Sequence, residues 1–389
     1  MIDFTSCHIN KFKAYGGGNG NKIGIVYQGE NYMLKFPAKK QETKILYPNA
    51  CISEYLSCNI YQSVGIDAQK TLYGKYLNNG KYKEVVACKD FAVDGYYLME
   101  FYKLKNACLS NSSENSNGQE TELETILDSI EDQKLINPNE FKTHFWNMFI
   151  MDAFLGNFDR HNGNWGLLIN EEKQLAKISP VYDCGSCLYP RLTDGEMNKV
   201  LNDIDEINQR IFVFPKSAIK VNNQKIDYVS YISSNNNQDC TKSLFEIVPN
   251  IDINKICSII EQEEFLSPIK KEFYKTMLKL RKELILDFSI NKIRFDSKIK
   301  YLNSFMVDKD NINLKSFPKN PIEVAYIIQA VKCLKVNNGI WENNMDIKIA
   351  SILIENYSQE TIENVISKLS PTAGEMYEIS QNKNKNFSR

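Results

Sequence analysis

Arginine and histidine are scarce in this 389-residue chain. The arginines are Arg160, Arg191, Arg210, Arg281, Arg294 and Arg389, and the histidines are His8, His144 and His161. Those histidines offer no pair at zinc-ligand spacing beside a pair of cysteines, which removes the usual structural zinc site. The ten cysteines are mostly scattered singly and read as small buried apolar side chains of a reducing compartment. No charge of one sign prevails. Lys and Arg number 47 against 48 Asp and Glu, a net of −1, so there is no electrostatic case for a nucleic-acid or membrane-surface binder. No apolar run is long enough to cross a bilayer. The start, Met1-Ile2-Asp3-Phe4-Thr5, lacks the basic stretch and apolar segment of a secretory signal. Internal repeats are absent too. What is present is 43% apolar and 24% charged residues, enough for a large core without disulfides or metal. At about 150 residues per domain the length predicts two or three domains, in a protein of the cytoplasm.

The first ninety residues or so read as sheet with one helix. Ile23 to Tyr27 and Tyr32 to Phe36 are β-forming runs around Gln28-Gly29-Glu30, a hairpin pattern. Cys51 to Val64 is helical, with Gly65 where a cap belongs. Glu84 to Cys88 reads as a buried strand. Leu109 to Glu120 is polar and of low complexity, a surface loop. Beyond it the period becomes helical: Phe141, Phe145, Met148, Phe149 and Asp152 share one face. Residues 269 to 294 form another amphipathic helix, with Phe273, Met277, Leu280 and Leu284 in its stripe. Ile322 to Leu334 and Ile347 to Tyr357 are further helix candidates, and Gln381 to Arg389 carries no apolar pattern. The expected layout is α+β: a sheet lobe over residues 1–92, a mostly helical lobe over 93–310, and a helical extension over 311–389 whose role the sequence does not state.

Four segments carry chemistry. The densest runs from Gly156 to Gly166: Gly-Asn-Phe-Asp-Arg-His-Asn-Gly-Asn-Trp-Gly. Asp159 and Asn164 bracket a loop there, which can aim a carboxylate at a substrate hydroxyl and an amide oxygen at a hard divalent ion. Its ordinary alternative is an Asn/Gly-rich turn. Nineteen residues past Asn164, Pro180-Val181-Tyr182-Asp183-Cys184-Gly185-Ser186 can present Asp183 to the same ion. Lys35 lies inside an otherwise apolar strand, which is costly unless its ammonium meets an anion or water. Gly16-Gly17-Gly18-Asn19-Gly20 offers backbone N–H groups that can wrap phosphate oxygens. Together these are the parts for phosphoryl transfer.

Their order is also that of a protein kinase. The sequence resembles the HipA-like serine/threonine kinases, in particular their compact cell-translocating kinase (CtkA) branch. The likeness spans about the first 300 residues and rests on Asn157 to Gly166 and Tyr182 to Ser186. It implies a two-lobed kinase fold, and an ATP- and Mg²⁺-dependent enzyme that phosphorylates Ser or Thr of a protein and can phosphorylate itself. By the same resemblance Asp159 is the catalytic base, and Asn164 and Asp183 hold Mg²⁺. Lys35 contacts the ATP phosphates under the loop Gly16, Gly17, Gly18, Asn19 and Gly20, with Glu54 as its partner. The backbone of Lys89, Asp90 and Phe91 forms the adenine hinge. Such kinases serve as toxins held by an antitoxin or as effectors exported towards host cells, so an antitoxin or partner subunit is implied. The glycine stretch departs from G-x-G-x-x-G, and no Ser or Thr lies between Tyr15 and Ile25. Some relatives phosphorylate a serine there. The subdomain that precedes the kinase core in full-length HipA toxins would have to be missing or supplied by another protein.

Several residues keep two readings. Glu54 points about 200° from Ile52 on a helical wheel and is either the partner of Lys35 or a surface glutamate. Cys58 and Tyr61 share its face. His161 either braces the loop or shares the base role, since Asp-Arg-His-x-x-Asn also occurs in phosphoinositide kinases. Cys184-Gly185-Ser186-Cys187 lacks the helix start that a thioredoxin-type motif needs. Asp152 reads as a brace to the next loop. A lipid or small-molecule kinase, or a nucleotide-holding module without catalysis, are the rival functions.

Overall fold

The computed structural model describes residues 1–13, 15, 22–37, 47–109, 118–294, 306–308 and 311–312. The stretch Gly16 to Gly20, most of the low-complexity loop, and the helix candidates beyond residue 312 lie outside the described residues. Two compact units are found, Met1–Ile290 and Asn291–Arg389. Within the second, Met306–Asp308 and Asn311–Ile312 pair antiparallel.

The first unit opens with a six-stranded sheet of order β1-β5-β6-β4-β3-β2. Its strands are β1 (Ile2–Asp3), β2 (His8–Ile9), β3 (Lys22–Tyr27), β4 (Glu30–Lys35), β5 (Thr71–Asn78) and β6 (Lys81–Lys89). All neighbours are antiparallel except β1 on β5, so the sheet is mixed. The expected hairpin forms with Gln28 and Gly29 at its tip, both with positive φ (51° and 80°). That is the two-residue turn whose twist matches paired strands. Its register sets Lys22 directly opposite Lys35.

Helix α1 (Ala50–Ser63) packs on β5 and β6. It is buried around most of its circumference, Glu54, Leu56, Cys58, Ile60 and Tyr61 included. Beyond the sheet come β7 (Tyr97–Glu100), α2 (Phe101–Leu109), α3 (Leu123–Asp132) and α4 (Pro138–Leu155), then β8 (Gly166–Asn170) and β9 (Leu175–Ile178). Strands β7, β8 and β9 form a small antiparallel sheet. Asn137 caps α4 through two N–H groups, with Pro138 in its first turn. Trp165 stacks on Phe101 with ring centres 3.9 Å apart and meets Phe141 and Phe145 of α4. This aromatic core holds the β8 end of the loop between α4 and β8.

The last long helix differs from expectation. Pro268–Arg281 is α-helical, and Lys282–Asp287 then widens into a π-helical turn. The buried set is Phe273, Tyr274, Met277, Leu278 and Arg281, then Ile285 and Leu286. Leu280 and Leu284 are only half-buried. The apolar stripe follows its neighbours one residue away, and the wider turn carries it on to Ile285.

Candidate active site

Helix α4 stops at Gly156, whose φ of 69° is left-handed. A side chain there is strained, so glycine frees the chain to turn back at the end of the helix. The carbonyls left over at that end are taken by Arg281. Its guanidinium is 1% exposed and donates to Ala153 O at 2.6 Å and Phe154 O at 3.2 Å. The loop that follows is built around a second buried arginine. Arg160 donates to both oxygens of Asp152, at 2.9 and 3.2 Å, and to the carbonyls of Asn164 and Tyr182. Asp152 also accepts from Tyr61 of α1 and from the Asn157 amide, each at 2.8 Å. The brace expected of Asp152 is therefore real, and it joins three elements.

On that frame Asp159 is exposed, with its N–H on the Asn157 amide oxygen at 3.0 Å. Partial burial raises its pKa. His161 pulls the other way, the Asp183 carboxylate adds to the rise, and Lys225 lowers it again. Asp159 and Asp183 thus lie in one another's field. Asn164 is buried and donates its amide N–H to the Asp159 carbonyl at 2.9 Å. Among the described residues no donor engages its amide oxygen. His161 is exposed, and its Nδ1 accepts the Gly163 N–H at 3.0 Å. That bond puts the imidazole to work as a clamp on its own loop.

Lys35 ends β4 and reaches two carboxylates, Asp183 at 3.0 Å and Glu54 at 3.1 Å. Burial opposes its charge, but Asp183 and then Glu54 hold its pKa well above the ordinary lysine value. Lys35 holds the Asp183 carboxyl down at about 2. Burial pushes Glu54 up to about 7, with Lys35 drawing it back. The face of α1 that bears Glu54 is thus an interior face. Gly185 permits the approach, since a Cβ there would stand 3.3 Å from Glu54 Oε2.

Lys35 and Asp183 line a cavity of about 320 Å³, whereas Glu54, Asp159, His161 and Asn164 are not among its lining residues. Tyr182, Gly163, Met33, Leu98, Asp90, Phe91 and Ala92 are also in its wall. Phe91 packs on Tyr182 with ring centres 5.6 Å apart. Lys89 is not in the lining. Its N–H donates to Lys70 O, its carbonyl accepts from Gln69, and its ammonium pairs with Glu30. Of the three expected hinge residues, Asp90 and Phe91 reach the cavity. Among the described residues the Phe91 N–H and the Asp90 carbonyl make no hydrogen bond. The Asp90 carboxylate is held by Lys13 at 2.5 Å and by Tyr15 at 3.1 Å. Lys22, Gln69 and Glu100 also line the cavity and were not singled out in the sequence. The register of the β3–β4 hairpin is the signal that finds Lys22.

The donor set suits a hard cation: carboxylate oxygens on Asp183 and Asp159 and an uncommitted amide oxygen on Asn164. Among the described residues no group of three or more His, Cys, Asp or Glu forms a cage. An ion here would keep oxygens of a phosphate or water among its ligands, which is the habit of Mg²⁺ at nucleotide sites. Among the described residues no helix is long and apolar enough to cross a membrane.

No family model matches the chain. The serine/threonine-protein kinase CtkA of Helicobacter pylori is 48% identical over 288 residues, which is 74% of this chain and 86% of the relative. The crystal structure of a Helicobacter pylori proinflammatory kinase CtkA superposes with a TM-score of 0.70 at 46% identity, covering 75% of this chain and 97% of that one. HipA of Shewanella oneidensis, solved with HipB and operator DNA, gives 0.46 at 16% identity over 73% and 67% of the two chains. That last likeness bears no weight. At 48% identity over 74% of its length, with a solved relative superposing at a TM-score of 0.70, the chain belongs to the CtkA family of serine/threonine-protein kinases.

Proposed function

We propose that this kinase uses ATP and Mg²⁺, and that Asp159 takes the proton from the acceptor hydroxyl. The observation that carries the reading is the convergence of Lys35, Glu54 and Asp183 within 3.1 Å, in the field of a second, exposed carboxylate at Asp159. Asn164 and Asp183 would hold Mg²⁺. Bound there, it supplies charge neutralisation for the phosphate oxygens. Lys35 binds phosphate, and Glu54 keeps the ammonium aimed. Phe91, Tyr182, Met33 and Leu98 give apolar wall for a purine to pack against. The raised pKa of Asp159 makes it a better base than an ordinary carboxylate. His161 positions the loop.

The reading includes autophosphorylation outside the glycine stretch, which has no hydroxyl residue. It also favours an effector role, because the relative solved as a crystal structure is described as proinflammatory. Asp159→Ala is expected to lower transfer from radiolabelled ATP by about 10²- to 10⁴-fold while nucleotide binding persists. Near-normal turnover of that variant would sink the assignment.

A further inference from the structure

Three consecutive apolar residues stay open at the end of one π-helical turn, Gln209–Val213, and just past it. Phe212 is 42% exposed, Val213 50% and Phe214 40%. The backbone beneath them is held firmly. Ile211 is buried, and the Phe214 N–H donates to the Gln209 carbonyl at 2.9 Å. The Arg210 carbonyl accepts from the Tyr189 hydroxyl at 2.7 Å and from Arg281 at 3.0 Å. A contiguous apolar patch held on a rigid backbone marks a contact surface.

Its location says which one. The Phe214 ring lies 5.4 Å from Phe158, the residue that precedes Asp159. Phe158 also stacks with Tyr47 at 6.3 Å. The Arg191 guanidinium lies over both rings, 4.8 Å from Tyr47 and 5.2 Å from Phe158, and donates to the Tyr47 hydroxyl. Four segments therefore meet in one shelf: the approach to α1, the catalytic loop, the stretch after Asp183, and the turn at 209–214. The shelf is continuous in sequence with the exposed Asp159 carboxylate.

We propose that Phe158, Val213 and Phe214, edged by Arg191, seat the acceptor segment of a protein substrate and select an apolar side chain close to the Ser or Thr. The proposal rests on the kinase reading of the same site. A hydroxyl can be held at Asp159 only if the residues flanking it are bound, and binding energy from such remote contacts is what fixes the geometry of transfer. Ring faces and a valine offer area without directed hydrogen bonds, so they favour aliphatic or aromatic side chains. Aromatic and arginine residues are also those that dominate interface energies. Arg191 disfavours a basic residue at that edge.

The test is the sequence motif of the phosphorylated peptides. A dephosphorylated cell lysate is digested to peptides, incubated with the full chain and ATP, and mapped by mass spectrometry beside Asp159→Ala, Phe214→Ser and Val213→Asp. The expected result is an apolar preference at one flanking position in the wild type. In Phe214→Ser and Val213→Asp it falls about tenfold in kcat/KM, measured on a peptide carrying that motif, while KM for ATP changes less than twofold. Labelling that depends on Asp159 but shows no apolar preference would overturn the seat alone, as would a preference that survives both shelf variants. Labelling that ignores Asp159, or none at all, would overturn the kinase reading with it.

Discussion

Two ion-paired clusters flank the loop between α4 and β8, and they are built on opposite plans. Around Arg160 everything is closed. The guanidinium and Asp152 are 2% and 1% exposed, and Tyr61, Asn157 and two carbonyls complete the set. Around Lys35 the set is open. Asp183 is 42% exposed, and the Glu54 oxygen nearest Lys35 sits at ion-pair distance without a directed hydrogen bond. One ammonium between two carboxylates leaves acceptors to spare and a cavity alongside. The closed cluster fixes backbone, whereas the open one has capacity left for a ligand. Charge burial alone therefore does not mark a site, and incomplete pairing at a cavity does.

The strongest test of the contrast removes the closed arginine. Arg160→Met strands Asp152 in the interior and unties the loop from the Tyr182 carbonyl. A loss of about 3–5 kcal/mol is expected in urea denaturation. If the variant unfolds within about 1 kcal/mol of the wild type, the closed cluster is not what holds the loop. Lys35→Met is the matching change in the open cluster. Glu54, already pushed up to about 7, can take a proton near neutral pH when its partner goes. Stability should move by less than about 1 kcal/mol, while phosphate transfer falls by about 10²- to 10³-fold. A large loss of stability with intact turnover would invert the comparison.

Glu54 itself separates the two plans by pH. Its ordinary value is 4.5, and the folded protein raises it to about 7. Between those values the folded state keeps a proton that the unfolded chain has released. The contribution of Glu54 to stability therefore falls as pH rises through that window and is lowest above 7. Activity runs the other way, because the carboxylate that aims Lys35 forms only as Glu54 ionises. From pH 6 to pH 8 the ionised fraction rises about tenfold, and kcat/KM for ATP should follow it. Glu54→Gln is expected to flatten this limb at a lower level. A wild-type profile without a limb near pH 7 would remove Glu54 from the mechanism.

The sequence reaches much of this, and its reach has a physical boundary. Local rules suffice for the β3–β4 hairpin and for the apolar face of α4 at Phe141, Phe145, Met148 and Phe149. They also suffice for the Asp159–Asn164 loop, because turns and caps are decided by a few adjacent residues. Glu54 is legible only in part. Its face also carries Cys58 and Tyr61, a hint of burial, but the partner that fixes its role is nineteen residues upstream. Longer reaches escape. Lys13 meets Asp90 across 77 positions, and Tyr61 meets Asp152 across 91. Nothing in either segment announces the other. The Lys89 backbone was expected in the hinge, but the cavity is reached one residue later, since the Lys70 carbonyl and the Gln69 amide take up its N–H and its carbonyl. The shelf at Phe214 was invisible for a similar reason. A π-helical turn has no apolar period, and its value comes from Phe158, 56 residues earlier in the chain.

The smallest expected effect probes how open the Lys35 cluster is. A Cβ at Gly185 would lie 3.3 Å from Glu54 Oε2 and 3.5 Å from the Ala50 carbonyl. The first is tighter than ordinary contact and the second is not, so the strain of Gly185→Ala falls on the glutamate. If Glu54 gives by a few tenths of an ångström, its carboxylate shifts relative to Lys35. In a closed, saturated cluster such a shift would break directed bonds. Here it lengthens an ion pair that has none, so KM for ATP should rise about threefold, which is under about 1 kcal/mol, with the melting temperature nearly unchanged. A loss of a hundredfold or more would mean that the Glu54 position is as tightly specified as that of Asp152, and the distinction between the two clusters would fail.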